Sequence, residues 1–241
     1  MKILAIDTSN YPLGVSLMTE DTIVGEYITY IKKNHSVRAM PAIEHLLKEC
    51  DWTPKELEKI VVAKGPGSYT GVRIGVTIAK TLAWSLKIPI VGVSSLAVMS
   101  SVGRYFNGYI CPLVDARRGQ IYTGLYSYHS GQQAEVALDC NVLAVDWLME
   151  LKEKNQPVLF VGNDVSLHKK SIQSILGDQA VFNELTEQNP RPSELGILGM
   201  NKQEEDTHSL VPNYIRLAEA EVKWLEAQTN QRGFIHDINK K

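Results

Sequence analysis

Lys64-Gly65-Pro66-Gly67-Ser68-Tyr69-Thr70-Gly71-Val72-Arg73-Ile74-Gly75 is the stretch on which the reading of this chain turns. A glycine-rich turn feeds directly into a helical pattern, and two opposed chemistries produce such a stretch. One is a phosphate cradle, in which backbone N–H groups and the helix dipole hold an anion at a helix N-terminus. The other is a tight turn whose glycines let the next helix pack closely against a neighbour. The spacing of Gly65, Gly67 and Gly71 is Gly-x-Gly-x-x-x-Gly, and no Gly-Lys-Ser/Thr follows. It is therefore neither the dinucleotide fingerprint nor a Walker A loop.

Downstream, Gly71, Gly75, Ala79 and Ala83 recur every fourth residue and make one face of the helix nearly smooth. The remaining faces carry Val72, Ile74, Val76, Ile78, Leu82 and Leu86. A helix apolar nearly all round is buried on more than one side. The pattern predicts a sheet beneath it and another helix or another protein above. Two glycines cost a helix roughly 1 kcal/mol each relative to alanine, which close packing would offset. Arg73 stands in the first turn, where a cation opposes the helix dipole by about 0.3–1 kcal/mol. A hydrogen-bonded carboxylate, in this chain or a partner, would account for it.

Working outward, Ile3 to Ile6 is a continuous apolar run ending in Asp7-Thr8-Ser9, a buried strand followed by a turn. Leu13 to Met18 and Ile23 to Ile31 complete an antiparallel meander. Val37, Met40, Ile43, Leu47 and Cys50 then fall at helical spacing, with Pro41 marking a kink or the start of the regular part. Strand Ile60–Ala63, helix Thr70–Leu86 and strand Ile88–Val93 form a βαβ crossover. After a break near residues 102–108 the order begins again. Strand Tyr109–Asp115 ends in a carboxylate, and Gly119 turns the chain into Gln120–Tyr128. Helices at Val145–Glu153 and Leu167–Leu176 flank the strand Val158–Gly162. A last helical stretch covers Ser193–Met200. Only the element order recurs, not the residues.

The 241 residues carry a net charge of −2, so no basic excess exists to bind nucleic acid over the whole surface. Local basic spots at Lys32-Lys33 with His35 and Arg38, and at Arg117-Arg118, read most plainly as solvated faces. Three widely spaced cysteines, Cys50, Cys111 and Cys140, form neither a disulfide framework nor a zinc pattern. The first apolar run is only four residues long, too short for a signal peptide or membrane span, and a cytoplasmic protein is expected.

The catalytic inventory is thin. Asp7-Thr8-Ser9 could hold a Mg²⁺–phosphate group, or could simply satisfy the backbone of its own turn. The six histidines offer no metal-ligand spacing, and there is no Gly-x-Ser-x-Gly elbow.

In order, Ile3–Ser9, Asn34-His35-Ser36, Lys64–Gly75, Gly92–Leu96, Val114–Gly119 and Pro212–Arg216 together resemble the bacterial TsaB (YeaZ) family. The resemblance spans about residues 1–220. It implies an α/β protein of two duplicated ASKHA lobes (actin/Hsp70-like, RNase H-like), each a mixed sheet flanked by helices. The lobes would cover 1–105 and 106–220, with the last helix of the second packing back on the first and a weakly ordered tail at 221–241. It also implies a role in forming threonylcarbamoyladenosine (t6A) at tRNA position 37. In that family the paralogue TsaD is the catalytic subunit, TsaB its scaffold partner, and the ATPase TsaE joins them. TsaD carries a His-x-x-x-His metal motif where this chain reads Ser95-Leu96-Ala97-Val98-Met99. That departure implies a chain that neither holds the metal nor performs the transfer.

The resemblance places a TsaD-type partner on the first two helices. Met40, Ile43, Leu47, Gly71, Arg73, Gly75, Ile78, Ala79 and Leu82 are the expected interface residues. Asp7, Thr8, Ser9 and Asp115 are the candidate nucleotide or phosphate ligands. ATP and Mg²⁺ are expected in the complex, tRNA only through it, and self-association when the partner is missing. The rival readings are an ATP-dependent phosphotransferase using Asp7, and a peptidase-like enzyme of the same fold.

Overall fold

The computed structural model describes residues 1–31 and 33–215. Lys32, Arg216 and the expected tail at 221–241 lie outside the described residues. The chain opens with the meander of β1 (Ile3–Asp7), β2 (Leu13–Met18) and β3 (Ile23–Thr29). The unbroken apolar run of β1 fits its central place, buried at every position between β2 and the parallel strand β4 (Lys59–Ala63). α1 (Ala39–Glu49) precedes β4, and Pro41 sits in its first turn, where a missing N–H breaks no helical bond. After β4 come α2 (Tyr69–Leu86) and β5 (Ile90–Val93), giving the sheet order β3-β2-β1-β4-β5. Ser68 caps α2 by accepting from the Gly71 N–H.

A short helix, α3 (Ser95–Ser100), links to the second sheet. There β6 (Tyr109–Asp115), β7 (Gln120–His129) and β8 (Gln132–Leu143) form a second meander. α4 (Ala144–Glu153), β9 (Val158–Val161), α5 (Val165–Leu176) and β10 (Ala180–Phe182) follow. The order β10-β9-β6-β7-β8 repeats the first sheet strand for strand, parallel and antiparallel pairs included. These are two duplicated α/β lobes of ASKHA type.

Helix α6 (Pro192–Met200) returns to the first sheet, on the face opposite α1 and α2. Gly196 and Gly199 permit this, because a Cβ at either would overlap Met18 or Val61. Its start is held by Glu26 of β3, which accepts from the Ser193 N–H (2.9 Å), Ser193 Oγ (2.6 Å) and the Arg191 guanidinium. The following segment runs along the same lobe, with Glu205 accepting from Lys64 Nζ and the Gly92 N–H at 3.0 Å each. Leu210 is buried in the core beneath α2. Asp139 of β8 ties the lobes together by accepting from Ser94 Oγ and Tyr126 OH, both at 2.5 Å.

Glu26→Ala removes every one of those acceptors at the start of α6. A loss of about 1–3 kcal/mol is expected in urea unfolding, since several hydrogen bonds to one charged group go together.

Candidate functional site

The glycine-rich turn and the Asp7 turn meet face to face. A Cβ at Gly67 would overlap the Ser9 carbonyl, one at Gly71 the Thr8 carbonyl, and one at Gly75 the Thr8 hydroxyl. Thr8 Oγ1 donates to the Gly71 carbonyl at 2.7 Å, and the Ser68 N–H donates to the Ser9 carbonyl at 2.7 Å. The smooth row on α2 is therefore covered by the chain's own backbone, not by another helix or protein. Several N–H groups that would cradle an anion are already taken. Ser68 N–H goes to Ser9, Gly71 N–H to the Ser68 hydroxyl, and Val72 N–H to the Ser68 carbonyl.

This packing seals Asp7, Thr8 and Ser9 below the surface, with Asp7 only 4 % exposed. Asp7 Oδ1 accepts from the Ser9 N–H (2.8 Å) and Ser9 Oγ (2.7 Å), an Asx-type turn. Its Oδ2 is buried without a partner among the described residues. Burial pushes the carboxyl above its ordinary value of 3.8, against the lowering effect of the Ser9 hydrogen bonds.

Asp115, the other carboxylate expected in a phosphate site, stands elsewhere. It lines a cleft of about 500 Å³ between the lobes, whose walls include Asn10, Tyr11, Ser68, Tyr69, Arg117, Tyr122, Asn163 and Asp164. Asp115 Oδ1 accepts from His168 Nε2 at 3.0 Å, while its own N–H donates to Asp164 Oδ2 at 2.9 Å. Burial raises the Asp164 carboxyl, with the Asp115 charge adding to it and the Asp115 N–H opposing. Arg117, which lines the cleft, and Arg118 both hold left-handed backbone (φ 64° and 54°), an uncommon conformation for non-glycine residues. The structure thus does not bring Asp7 and Asp115 into one lining. Asp164 and His168 escaped the sequence reading. Asp164 lies three residues beyond β9, at the start of α5, unlike Asp7 and Asp115, which are the last residues of their strands.

The nine expected interface residues divide. Ile43, Leu47, Gly71, Gly75 and Ala79 are buried within the chain and present no side chain at its surface. Ile43 and Leu47 join the core under α1, and Ala79 the core under α2. Met40 and Arg73 are exposed, while Ile78 and Leu82 are half-buried. Met40, Arg73 and Ile78 line an open, mostly apolar groove between α1 and α2, together with Ser36, Tyr69, Thr70, Ile74 and Thr77. Among the described residues no carboxylate pairs with Arg73. Its Nη1 donates to Tyr69 OH at 2.8 Å, and the guanidinium lies 4.8 Å from the Tyr69 ring centroid. The stretch Ser95–Met99, where the paralogue is expected to carry histidines, forms a wholly buried turn of α3 that feeds Leu96, Ala97, Val98 and Met99 into the cores. Among the described residues no three of His, Cys, Asp and Glu cluster to hold a metal ion, and no helix is long and apolar enough to cross a membrane.

Two lobes of one topology around a cleft define an actin/Hsp70-type protein. Comparison with known proteins narrows this. A family model described as "TsaD: tRNA N6-adenosine threonylcarbamoyltransferase" matches residues 22–224. The tRNA threonylcarbamoyladenosine biosynthesis protein TsaB of Bacillus subtilis is 62% identical over 228 residues, 95% of this chain and 100% of that protein. TsaB of Escherichia coli is 34% identical over 128 residues, 52% of this chain and 55% of that protein. The solved YeaZ from Pseudomonas aeruginosa shares the fold with a TM-score of 0.73 at 22% identity, covering 88% of this chain and 99% of that one. The chain belongs to the TsaB (YeaZ) family.

Two outcomes follow from the sealed turn. Gly71→Ala places a methyl group against the Thr8 carbonyl and is expected to cost about 2–4 kcal/mol in thermal or denaturant unfolding, as overpacking against backbone does. Asp7→Asn is expected to stabilise the fold at pH 7, read as a higher melting temperature than wild type. The folded state holds the Asp7 proton more tightly than the unfolded chain does. Wild-type stability therefore falls as pH rises from 3.8 through the raised value, and the advantage of Asn shrinks as pH drops back through that window. Melting curves from pH 3.5 to 7.5 for both proteins read this directly.

Proposed function

We propose that this chain is a non-catalytic scaffold subunit for t6A formation at tRNA position 37, and that it pairs with a TsaD-type catalytic subunit through the outer face of α1 and α2. The observation that carries the reading is the Gly67–Gly75 turn closed on Thr8 and Ser9, which occupies the space a phosphate would need beside Asp7. The open groove of Met40, Ile74 and Ile78 supports the choice of face, because apolar side chains at a surface hollow are recurrent interface anchors. A TsaE-type ATPase joins the pair, and ATP and Mg²⁺ act in the assembly rather than on this chain. When the catalytic subunit is missing, two copies of the chain associate through the same face. The family's work on tRNA supports a cytoplasmic location for the protein.

Reconstituted t6A synthesis with and without the chain tests the role. Full yield in its absence ends the reading, and ATP turnover by the chain alone that collapses in Asp7→Ala would favour the phosphotransferase instead. Met40→Glu, at an exposed position, is expected to weaken co-elution with the catalytic subunit about 30-fold while the melting temperature stays within a few degrees of wild type, as loss of an interface anchor of about 2 kcal/mol does.

A further inference from the structure

Four tyrosines crowd one opening with much of their surface in solvent. Tyr11, Tyr30, Tyr69 and Tyr214 are 45, 52, 47 and 43 % exposed. They form two tilted ring pairs, Tyr11 with Tyr30 at 5.0 Å between centroids and 42° between planes, and Tyr69 with Tyr214 at 5.3 Å and 32°. Tyr11 and Tyr69 both line the interlobe cleft. Tyr11 also lines an adjoining hollow of about 280 Å³ with Lys33, Asn34 and His35.

Cations stand beside each pair. Lys33 is in the hollow next to Tyr11, Arg73 lies over the Tyr69 ring, and Arg117 is on the cleft wall contributed by the second lobe. The cleft floor is of opposite sign, because Asp115 and Asp164 face it from the second lobe. A phosphate chain is thus disfavoured inside the cleft and favoured around its rim. The carboxylates can accept from amino groups, the tyrosine faces can stack planar rings, and the rim cations can neutralise phosphates. That combination suits unpaired nucleotides with bases turned inward and backbone outward. Duplex RNA does not suit it, since stacked and paired bases offer no ring faces to the tyrosines. The net charge of −2 leaves recognition to these local groups.

We propose that this cleft mouth is a binding surface for an unpaired loop of the RNA substrate, with Tyr11–Tyr30 and Tyr69–Tyr214 as stacking platforms and Lys33 and Arg117 as phosphate contacts. The inference rests on the function proposed above and adds to it a substrate contact made by this chain. Its place fits that role. Tyr69 and Thr70 line both the cleft and the partner groove, so an RNA loop engaged by a partner on that groove lies next to the tyrosines.

The test uses the full chain reconstituted with its catalytic subunit and the ATPase. Two readouts are taken: KM for tRNA in t6A synthesis, and anisotropy of a fluorescent anticodon stem-loop bound to the complex. The Tyr11→Ala/Tyr30→Ala double variant is expected to raise KM and the stem-loop Kd about tenfold or more, with the effect falling on KM rather than kcat. Tyr11→Phe/Tyr30→Phe keeps the rings and is expected to restore binding. Lys33→Gln and Arg117→Gln are each expected to reduce the log–log salt slope of stem-loop binding by about 0.7. An unchanged Kd in the alanine variant overturns the proposal, as does failure of the phenylalanine variant to restore it. So does a parallel loss of co-elution with the catalytic subunit, which would make the tyrosines a protein contact. If the wild-type chain does not support t6A synthesis at all, the scaffold reading fails, and stem-loop binding by the complex still decides the RNA surface.

Discussion

The close approach of Gly67 and Gly71 to the backbone of the Thr8–Ser9 turn, and of Gly75 to the Thr8 hydroxyl, is the constraint from which the rest of the first lobe follows. It sets how deeply α2 lies on β1 and β4, because no side chain intervenes. It also decides a chemical question. A turn that receives a phosphate must leave its N–H groups free, and here Ser9 takes the Ser68 N–H while Ser68 itself takes those of Gly71 and Val72. With one face of α2 spent inward, Arg73, Ile74, Thr77 and Ile78 are among the residues left facing outward, and they line the groove.

The duplicated topology makes the two lobes a natural comparison. Asp7 ends β1 and Asp115 ends β6, the same strand in each lobe. Their surroundings differ because the helix after the fourth strand differs. In the first lobe that helix is α2, whose glycines close flush on the β1–β2 turn. In the second lobe it is α5, which opens with Asp164 and carries His168 one turn on. These side chains bond to Asp115 without covering it, so the second carboxylate stays on the cleft wall while the first is sealed away. One plan with two fillings yields a buried turn on one side and an open polar wall on the other.

What the sequence made legible follows from periodicity. The runs of β1, β4 and β6 and the long apolar pattern of α2 were readable because burial on both sides leaves an unbroken signal. α3 was not, since a six-residue helix buried all round has no amphipathic period. β8 was not, because an edge strand of mixed residues with register shifts near Leu125 breaks the alternation. The helical stripe of Ile43 and Leu47 announced a covered face without saying what covers it, and the cover proved to be the chain's own core. The burial of Asp7 depends on glycines some sixty residues away, which no local pattern reports. The partner of Arg73 was local after all, since Tyr69 stands four residues before it on one helix face.

The second half of the chain does more than repeat the first. α6 crosses back to cover the opposite face of the first sheet, so that sheet is closed by helices from both ends of the chain. Glu26 grips the start of α6, Arg104 pairs with Glu194 within it, and Glu205 bridges Lys64 and Gly92 further on. Asp139 adds a direct tie between lobes through Ser94 and Tyr126. The cleft is thus bounded by two lobes that share several charge-assisted hydrogen bonds, the stronger kind. Such bracing holds the α1–α2 face and the tyrosine rim at a set distance from each other.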